Sequence, residues 1–271
     1  MARQSLLAHA QNAVKVYCIT LQNCAERQKK ITAQLNQLGL EFEFVYGIDG
    51  RALSQEEINS LYDREKCRRF HIRKYKKDVD LSRGEIGCTL SHNLLYKKMI
   101  DEDVQRAIIL EDDALIDDDA LSLLEPLSRL PIDGYVVNLS HPPSSQKRNK
   151  RRFELSIPWH TIILNDKFFI RHSFAHSTLT SGYYIDIKAA RVMYKLTQRV
   201  FLIIDQWSYF REYVKFRIIN RNVIRQDENL KSVIGGSRDG IKVKTGAIGH
   251  ILWVIRRQFG KLRYIALSLI R

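Results

Sequence analysis

The chain has 271 residues, of which 45% are hydrophobic and 27% charged, and this ordinary balance excludes disorder over the whole chain. Its 44 lysines and arginines outnumber its 30 acidic residues and give a formal net charge of +14, so the surface is expected to attract polyanions such as nucleic acid, an anionic membrane or a phosphorylated substrate. Residues 1–12 lack a signal-peptide core, and the four cysteines show no CxxC or Cys/His spacing typical of zinc, so we expect reduced thiols in the cytosol.

The first predicted elements form a β-α-β unit. Residues 15–21 are apolar and β-branched, as in a buried strand, and apolar residues then recur at helical spacing until Gly39. Phe42, Phe44 and Tyr46 then alternate with Glu41, Glu43 and Val45, as in a second strand. A helix between two strands predicts that the strands are parallel and joined by a right-handed crossover.

A basic segment follows a short predicted helix. Ser54 and Glu57 have the spacing of a capping box, which predicts a helix that ends near Leu61. Residues 66–77 then alternate basic side chains with Phe70, His71 and Tyr75. Such a pattern is typical of a nucleic-acid surface, and it equally fits a loop around an anionic sugar or an ordinary solvated face.

A longer helix is predicted after Leu81. Ser82 and Glu85 have capping-box spacing, and apolar residues continue at helical intervals to Met99. Gly84 and Gly87 destabilise a helix, so their presence indicates a close approach of backbone or ligand. His92 lies on this helix, where a histidine is either packed or functional.

Residues 107–113, Ala-Ile-Ile-Leu-Glu-Asp-Asp, are the central motif of the sequence. Their apolar half predicts a strand buried on both faces, as in a parallel sheet covered by helices. Glu111, Asp112 and Asp113 follow at the carboxyl end, where ligands bind in open α/β sheets, and three adjacent carboxylates repel one another unless a cation is bound. The motif therefore predicts a Mg²⁺ or Mn²⁺ site that receives the phosphates of a nucleotide. The alternative is a helix N-terminus whose acids complement the helix dipole.

Further strands are predicted in the second half of the chain. Residues 135–140 predict a buried strand and residues 141–152 have the composition of a mobile loop. Residues 177–186 begin with a turn of small residues that leads into a strand. A helix is predicted over residues 189–197. Residues 200–204 are apolar and precede Asp205, which repeats the strand-then-carboxylate order of the central motif.

The last 31 residues, 241–271, are predicted to form a basic amphipathic helical segment after a domain of residues 1–240. From Lys242 onward there are seven basic residues and no acidic one, interleaved with apolar residues that include Trp253, Phe259 and Tyr264. This pattern favours a helix that lies on an anionic membrane, and the alternative is a terminal helix packed on the main domain.

Five segments between residues 14 and 210 together resemble a known family. They are Val16–Leu21 with Glu26 and Arg27, the turn Gly47–Asp49, Leu81–His92, Ile108–Asp113, and Thr180–Ile185 with Ala189 and Ala190. With these segments in this order, the sequence resembles the bacterial family 25 glycosyltransferases, which include lipooligosaccharide galactosyl- and glucosyltransferases and are related to collagen galactosyltransferases.

The resemblance implies an α/β fold of the GT-A type, a single nucleotide-binding domain with a mostly parallel central sheet. It implies transfer of galactose or glucose from a UDP-sugar with inversion of the anomeric centre. Asp113 and Glu111 are implied to bind Mn²⁺ or Mg²⁺, and Asp205 is implied to be the base that takes the proton of the acceptor hydroxyl. The donor-binding residues that it implies are Thr20, Leu21, Arg27, Glu85, Ser91, His92, Glu111 and Asp112.

The resemblance also implies a lipid-linked oligosaccharide acceptor, the core of a lipooligosaccharide or lipopolysaccharide, and no nucleic-acid partner. With the basic tail on an anionic membrane, we expect a peripheral location on the cytoplasmic face of the bacterial inner membrane. Two alternatives remain open. A nucleic-acid-binding protein fits the net charge and leaves the acidic triplet unexplained, and a metal-dependent nucleotidyltransferase would share the metal and the nucleotide but release pyrophosphate.

Overall fold

The structure is a computed structural model that describes residues 13–140, 161–172, 179–227, 229 and 241–242. In this part of the chain the strands are β1 Lys15–Thr20, β2 Glu43–Tyr46, β3 Lys77–Asp78, β4 Arg106–Glu111, β5 Ala114–Ile116, β6 Tyr135–Asn138, β7 Ile162–Ile163, β8 Phe169–Arg171, β9 Gly182–Asp186, β10 Lys215–Ile219, β11 Ile224–Gln226 and β12 Ile241–Lys242. The helices are α1 Ala25–Gln37, α2 Gln55–Leu61, α3 Arg64–Tyr75, α4 Arg83–Asp101, α5 Leu121–Ser128, α6 Ile187–Thr197 and α7 Trp207–Phe210, with a 3₁₀ turn at Asp118–Ala120.

Eight strands form one mixed sheet in the order β2-β1-β4-β9-β6-β10-β8-β7. Strand β1 is parallel to both β2 and β4, as the β-α-β unit predicts, and β6 is parallel to β10. The other four pairings, β4–β9, β6–β9, β8–β10 and β7–β8, are antiparallel. The α/β class is confirmed, whereas the prediction of a mostly parallel sheet is wrong because β9 enters between β4 and β6 in the opposite direction.

Helices cover both faces of the sheet, which gives the domain two cores. Along β4, Ile108 and Leu110 face one core while Ala107 and Ile109 face the other, as expected for side chains that alternate along a strand. The first core is closed by α1 and α5, and the second by α4, α6 and α7. The prediction that this strand is buried on both faces is therefore confirmed.

The basic segment folds as the helix α3, with Asp63 as its N-cap. Several of its arginines are paired with acids, in the contacts Arg64–Asp80, Arg68–Asp78 and Arg69–Glu65. Two other residues of this helix, Cys67 and His71, are buried. Since much of its positive charge is neutralised within the fold, α3 is weaker support for a nucleic-acid surface than its sequence alone.

Residues 200–204 do not form the predicted strand; their single described bridge joins Val200 to Tyr62. The segment is held instead by Thr89 of α4, whose Oγ1 donates to the carbonyl of Leu202 and accepts from the amide of Ile204. Its apolar side chains are buried because they fill the space beneath the helices, which sequence periodicity cannot distinguish from a sheet.

Several predictions fall on residues that are not described. The loop 141–152 and most of the C-terminal segment, residues 243–271, lie outside the described ranges. Ile241–Lys242 pair as a short antiparallel strand with Lys77–Asp78. Among the described helices, none combines the length and hydrophobicity needed to span a membrane.

Candidate active site

A cleft of about 720 Å³, measured out to its open mouth, lies where β1 and β4 end. Two elements of the parallel part of the sheet thus present their carboxyl ends to the same space, the usual position of ligand sites in open α/β sheets. The lining residues come from β1 and the start of α1, the turn after β2, α4, the end of β4 and β11: Ile19, Thr20, Leu21, Cys24, Arg27, Ile48, Asp49, Gly50, Gly84, Cys88, Ser91, His92, Glu111, Asp112, Asp113 and Gln226.

The acidic triplet forms the floor of this cleft. Strand β4 ends at Glu111. The next two residues, Asp112 and Asp113, form a turn, and β5 begins directly afterwards at Ala114. No helix starts here, so the alternative of a helix N-terminus carrying acids is wrong. The carboxylates are instead held at the sheet edge by a strand-turn-strand unit.

Asp112 is fixed by an ion pair at one oxygen and a hydroxyl at the other. Arg27 Nη1 donates to Oδ1 at 2.6 Å, and Thr20 Oγ1 donates to Oδ2 at 2.7 Å. Both partners come from the end of β1 and the helix that follows it. Two of the predicted donor-binding residues therefore lie in the cleft and orient a third, because charge-assisted hydrogen bonds of this length are strong.

Glu111 accepts hydrogen bonds from Thr180 Oγ1 and from His92, whose Nε2 lies 3.4 Å from Oε1. The other ring nitrogen of His92, Nδ1, is 2.8 Å from the hydroxyl of Tyr183. Burial alone would raise the pKa of Glu111, but the hydrogen bonds from His92 and Thr180, with the charge of Arg27, outweigh it and hold that pKa below its ordinary value. Glu111 is therefore anionic.

Asp113 is the acid whose charge is least compensated. Gln226 Nε2 donates to Oδ2 at 3.0 Å, whereas the buried Oδ1 has no hydrogen-bond partner among the described residues. Burial, together with the negative charge of Glu111, raises the pKa of Asp113 to about 7. The register of β11 on β5 accounts for the amide, since Gln226 pairs with Ala114, the residue after Asp113.

These side chains fit a hard divalent cation. Carboxylate oxygens are the ligands that Mg²⁺ and Mn²⁺ prefer, and the buried Oδ1 of Asp113 is an acceptor that receives no hydrogen bond from the residues that the structure describes. Arg27 neutralises Asp112, so the negative charge left for a cation is that of Glu111 and Asp113.

The turn after β2 is locked against α4. A Cβ on Gly87 would lie 2.6 Å from the carbonyl oxygen of Ile48 and closer still to the amide nitrogen of Gly50, so only glycine allows this approach. Ser91 Oγ accepts from the amide of Ile48 at 2.8 Å. The close approach predicted for Gly87 is confirmed, and Ser91 lines the cleft while it positions the turn.

The other predicted site residues, Leu21, Glu85 and Asp205, occupy different positions relative to the cleft. Leu21 lines the cleft, and its carbonyl accepts from Cys24 and Gln28. Glu85 does not line it, because its carboxylate completes the capping box with Ser82. Asp205 is also absent from the lining, although its charge contributes to the raised pKa of the Cys88 thiol, so it lies near that wall of the cleft.

Four residues near the acids were not predicted as site residues: Cys88, Thr180, Tyr183 and Gln226. A ligand atom from each of Cys88, His92 and Glu111 lies within 4.8 Å of the other two. The sequence held a signal for part of this group, since Cys88 and His92 are four residues apart on a predicted helix. Thr180 and Gln226 reach the site only through the antiparallel strands β9 and β11, whose pairing no local pattern reveals.

The chain is similar to proteins of one family. The model of a family described as "Glycosyltransferase family 25 (LPS biosynthesis protein)" matches residues 13–208. A "Glycosyltransferase 25 family member" from Aedes aegypti is 34% identical over 98 residues, which are 36% of this chain and 16% of that protein. The "Procollagen galactosyltransferase 2" from Homo sapiens is 22% identical over 181 residues, 65% of this chain and 26% of that protein.

A bacterial relative matches over nearly the full chain. The "Putative glycosyltransferase" from Haemophilus influenzae is 21% identical over 268 residues, which are 91% of this chain and 84% of that protein. By contrast, this chain spans well under half of the length of the mosquito and human proteins. All three matches carry glycosyltransferase names, in agreement with the family model.

Proposed function

The chain belongs to glycosyltransferase family 25, the family that its motifs resemble, and from this premise we propose an inverting, metal-dependent enzyme. It moves galactose or glucose from a UDP-sugar to the core of a lipooligosaccharide or lipopolysaccharide, on a domain of GT-A type. The observation that carries the proposal is the buried Oδ1 of Asp113, which has no hydrogen-bond partner in the described part of the chain and lies beside the anionic Glu111 at the carboxyl edge of the sheet.

Asp113 and Glu111 hold the metal in this proposal. Mn²⁺ or Mg²⁺, when bound, neutralises the charge that develops on the departing nucleoside diphosphate. Asp112 does not compete for that role, because Arg27 and Thr20 occupy its two oxygens. The triplet thus divides into two acids for a cation and one that fixes the geometry of the cleft.

The donor lies along the wall made by β1 and α4. Thr20, Leu21 and Arg27 come from the first side, and Ser91 and His92 from the second. His92 is oriented at Nδ1 by Tyr183, so its Nε2 is directed at the acidic floor rather than free to rotate. Ser91 keeps the turn at Ile48 in place through its hydrogen bond to that amide.

Asp205 is the base in this proposal, and it takes the proton of the acceptor hydroxyl as that oxygen attacks the anomeric carbon. Two observations support this role for Asp205: it lies near Cys88 on the cleft wall, and its segment is attached to Thr89 of α4 by the hydrogen bond from the amide of Ile204. A base on a tethered segment can meet an acceptor that enters from the open side of the cleft.

The acceptor is a lipid-linked oligosaccharide. The family description names lipopolysaccharide biosynthesis, and the net charge of +14 suits an acceptor that carries phosphate or acidic sugars. The seven basic residues from Lys242 onward would bring the enzyme to the anionic inner leaflet of the bacterial membrane, where it would act as a peripheral protein.

Asp113→Ala tests the proposal. UDP release from UDP-galactose and from UDP-glucose is measured with Mn²⁺, and the variant is expected to lose at least about a hundredfold in rate, because metal stabilisation of the leaving group contributes several kcal/mol. Its fold is expected to be intact, since removal of Asp113 also relieves repulsion with Glu111.

Asp118→Ala is the matched control, because Asp118 is an exposed acid just beyond the cleft. It is expected to retain the wild-type rate. Wild-type turnover by Asp113→Ala in Mn²⁺ contradicts the metal assignment. Release of pyrophosphate instead of UDP would favour the nucleotidyltransferase alternative.

A further inference from the structure

The cleft contains a second set of ligand atoms that differs in chemistry from the carboxylate pair. Cys88 offers a sulfur, His92 a ring nitrogen and Glu111 a carboxylate oxygen, and these three atoms lie within 4.8 Å of one another. Sulfur and imidazole are poor ligands for Mg²⁺ and preferred ligands for zinc and its analogues. The set therefore suits a different class of cation from Asp113.

The three side chains converge because of the local structure of two elements. Cys88 and His92 are four residues apart on α4, so they lie on the same face one helical turn apart. Glu111 is the last residue of β4, and its amide donates to the carbonyl of Ser181 at 3.1 Å. A helix and a central strand thus present the ligands, which leaves little conformational entropy to be lost on binding.

Neighbouring groups already orient two of the ligands. The hydroxyl of Tyr183 lies 2.8 Å from His92 Nδ1, which directs Nε2 towards Glu111, and Thr180 donates to the carboxylate of Glu111. Metal-binding histidines commonly have such a partner on the second ring nitrogen. Tyr96 in turn lies 2.7 Å from the hydroxyl of Tyr183, so the network extends into the core.

We propose that Cys88, His92 and Glu111 bind a thiophilic divalent cation of the zinc type, with the fourth tetrahedral position open to the cleft. On binding, the thiol proton of Cys88 passes to solvent, and the single ring proton of His92 resides on Nδ1, where it forms a hydrogen bond to the hydroxyl oxygen of Tyr183 and leaves Nε2 free for the cation. No oxidation state changes. If the proposed function is correct, such an ion occupies Glu111 and excludes Mn²⁺ from it.

Cobalt is the probe, because thiolate-bound Co²⁺ in a tetrahedral site has a near-ultraviolet charge-transfer band and intense visible bands. The full chain is stripped with a chelator and titrated with Co²⁺ in the absence of nucleotide, so the readout does not depend on glycosyl transfer. We expect one Co²⁺ per chain with both features. Saturating Co²⁺ without a charge-transfer band in the wild type overturns the proposal.

Variants then identify the ligands. Cys88→Ser is expected to abolish the charge-transfer band, and Tyr183→Phe to weaken Co²⁺ binding about 10–100-fold while the band persists, as for outer partners of metal ligands. Cys24→Ser is the matched control, since Cys24 lines the same cleft outside the cluster and serine is a good N-cap for α1. A band that survives in Cys88→Ser, or disappears in Cys24→Ser, rejects this assignment.

Discussion

The three consecutive acids of the cleft differ in their hydrogen-bond partners. Asp112 has an arginine and a threonine, Glu111 has a histidine and a threonine, and Asp113 has one amide. Because the three acids are adjacent, the sequence alone does not show that their hydrogen-bond partners differ. Only the chain segments that approach from β1, α4 and β11 distinguish them.

Asp205→Asn tests the proposal that Asp205 is the catalytic base. The amide keeps the shape of the side chain but cannot accept a proton, so turnover is expected to fall about 10²–10⁴-fold, the usual contribution of a general base. UDP binding, measured by calorimetry with Mn²⁺, is expected to stay at the wild-type level because Asp205 does not line the cleft.

Glu212→Gln serves as the control, since Glu212 is an exposed carboxylate just after α7. It is expected to leave both turnover and UDP affinity unchanged. A collapse of UDP affinity in Asp205→Asn would instead assign Asp205 to nucleotide binding, and another base would have to be sought.

Several of the site residues that the resemblance implies lie in segments with strong local signals. Thr20, Arg27 and Glu111 follow strands or begin helices that the pattern of apolar residues predicts, and the structure brings them into one cleft. Glu85 is implied as a donor-binding residue by the resemblance alone, whereas its carboxylate forms the capping box with Ser82 that the spacing predicts. Thr180 was part of a recognised motif, yet its contact with Glu111 depends on long-range strand pairing.

At the scale of elements, the contact between α4 and the turn after β2 positions one wall of the cleft. Gly87→Ala is expected to destabilise the protein by about 1–3 kcal/mol, because the added methyl group would meet backbone atoms of Ile48 and Gly50 that cannot move independently. Helix propensity alone predicts the opposite sign, a gain of up to about 1 kcal/mol. Chemical denaturation measures the difference.

Lys97→Ala provides the comparison on the same helix, because Lys97 is exposed and forms an ion pair with Asp101 one turn away. Its effect on the free energy of unfolding is expected to stay within about 0.5 kcal/mol. If Gly87→Ala stabilises the protein, the close packing of α4 on the turn is not maintained in solution.

The half-buried amine of Lys74 on α3 makes stability depend on pH. Lys74 donates to Ser208, and burial, with the positive charge of Arg211, lowers its pKa to about 8 against the opposing effect of Glu212. Between pH 8 and pH 10.5 the unfolded chain therefore binds more protons at this residue than the folded chain, and the contribution of Lys74 to stability rises with pH.

Lys74→Met lacks this titration. The free energy of unfolding of the variant relative to the wild type is therefore expected to decrease as the pH rises from 8 to 10.5, measured by denaturation at a series of pH values. Exposed Lys97→Ala serves again as a reference, and its difference from the wild type is expected to vary less over that range. A constant difference for Lys74→Met would contradict the lowered pKa.

Elements with strong local signals were predicted well. The β-α-β unit and both capping boxes are present, since adjacent residues determine them. The apolar segment 200–204 was predicted as a strand and is irregular, because burial beneath α4 produces the same composition as burial in a sheet. The helix α3 went unpredicted because its ion pairs and buried Cys67 are tertiary features.

At the scale of the whole molecule, the main error of the sequence-based prediction was the direction of the strands, since the sheet is mixed and not mostly parallel. The crossover rule gives parallel neighbours for β1, β2 and β4, but β9 is separated from β4 by more than seventy residues and no local rule fixes its direction. The mixed sheet still places the cleft where a parallel sheet would, because β1 and β4 both end at it. The ligand edge could therefore be predicted without the complete topology.

Deletion of residues 246–271 tests the proposed association with membranes. Each basic residue near an anionic leaflet contributes about 1 kcal/mol within a Debye length of roughly 8 Å, so the full chain is expected to sediment with anionic vesicles and to be released by salt. The truncated chain is expected to remain in solution and to keep UDP release from the sugar donor.

Neutral vesicles are the control, and neither protein is expected to bind them. Aggregation of the truncated chain, or loss of UDP release, would show that the tail stabilises the folded domain, and the membrane assignment would then fail.

The antiparallel insertion of β9 also has a consequence for synthesis on the ribosome. Strands β2, β1 and β4 emerge first and can pair, but the free edge of β4, with its Ala-Ile-Ile-Leu sequence, stays uncovered until residues 182–186 leave the exit tunnel. An uncovered apolar edge invites pairing with another nascent chain. Chains arrested before Thr180 would thus depend on chaperones, and they would lack the Thr180 contact to Glu111 that completes the cleft floor.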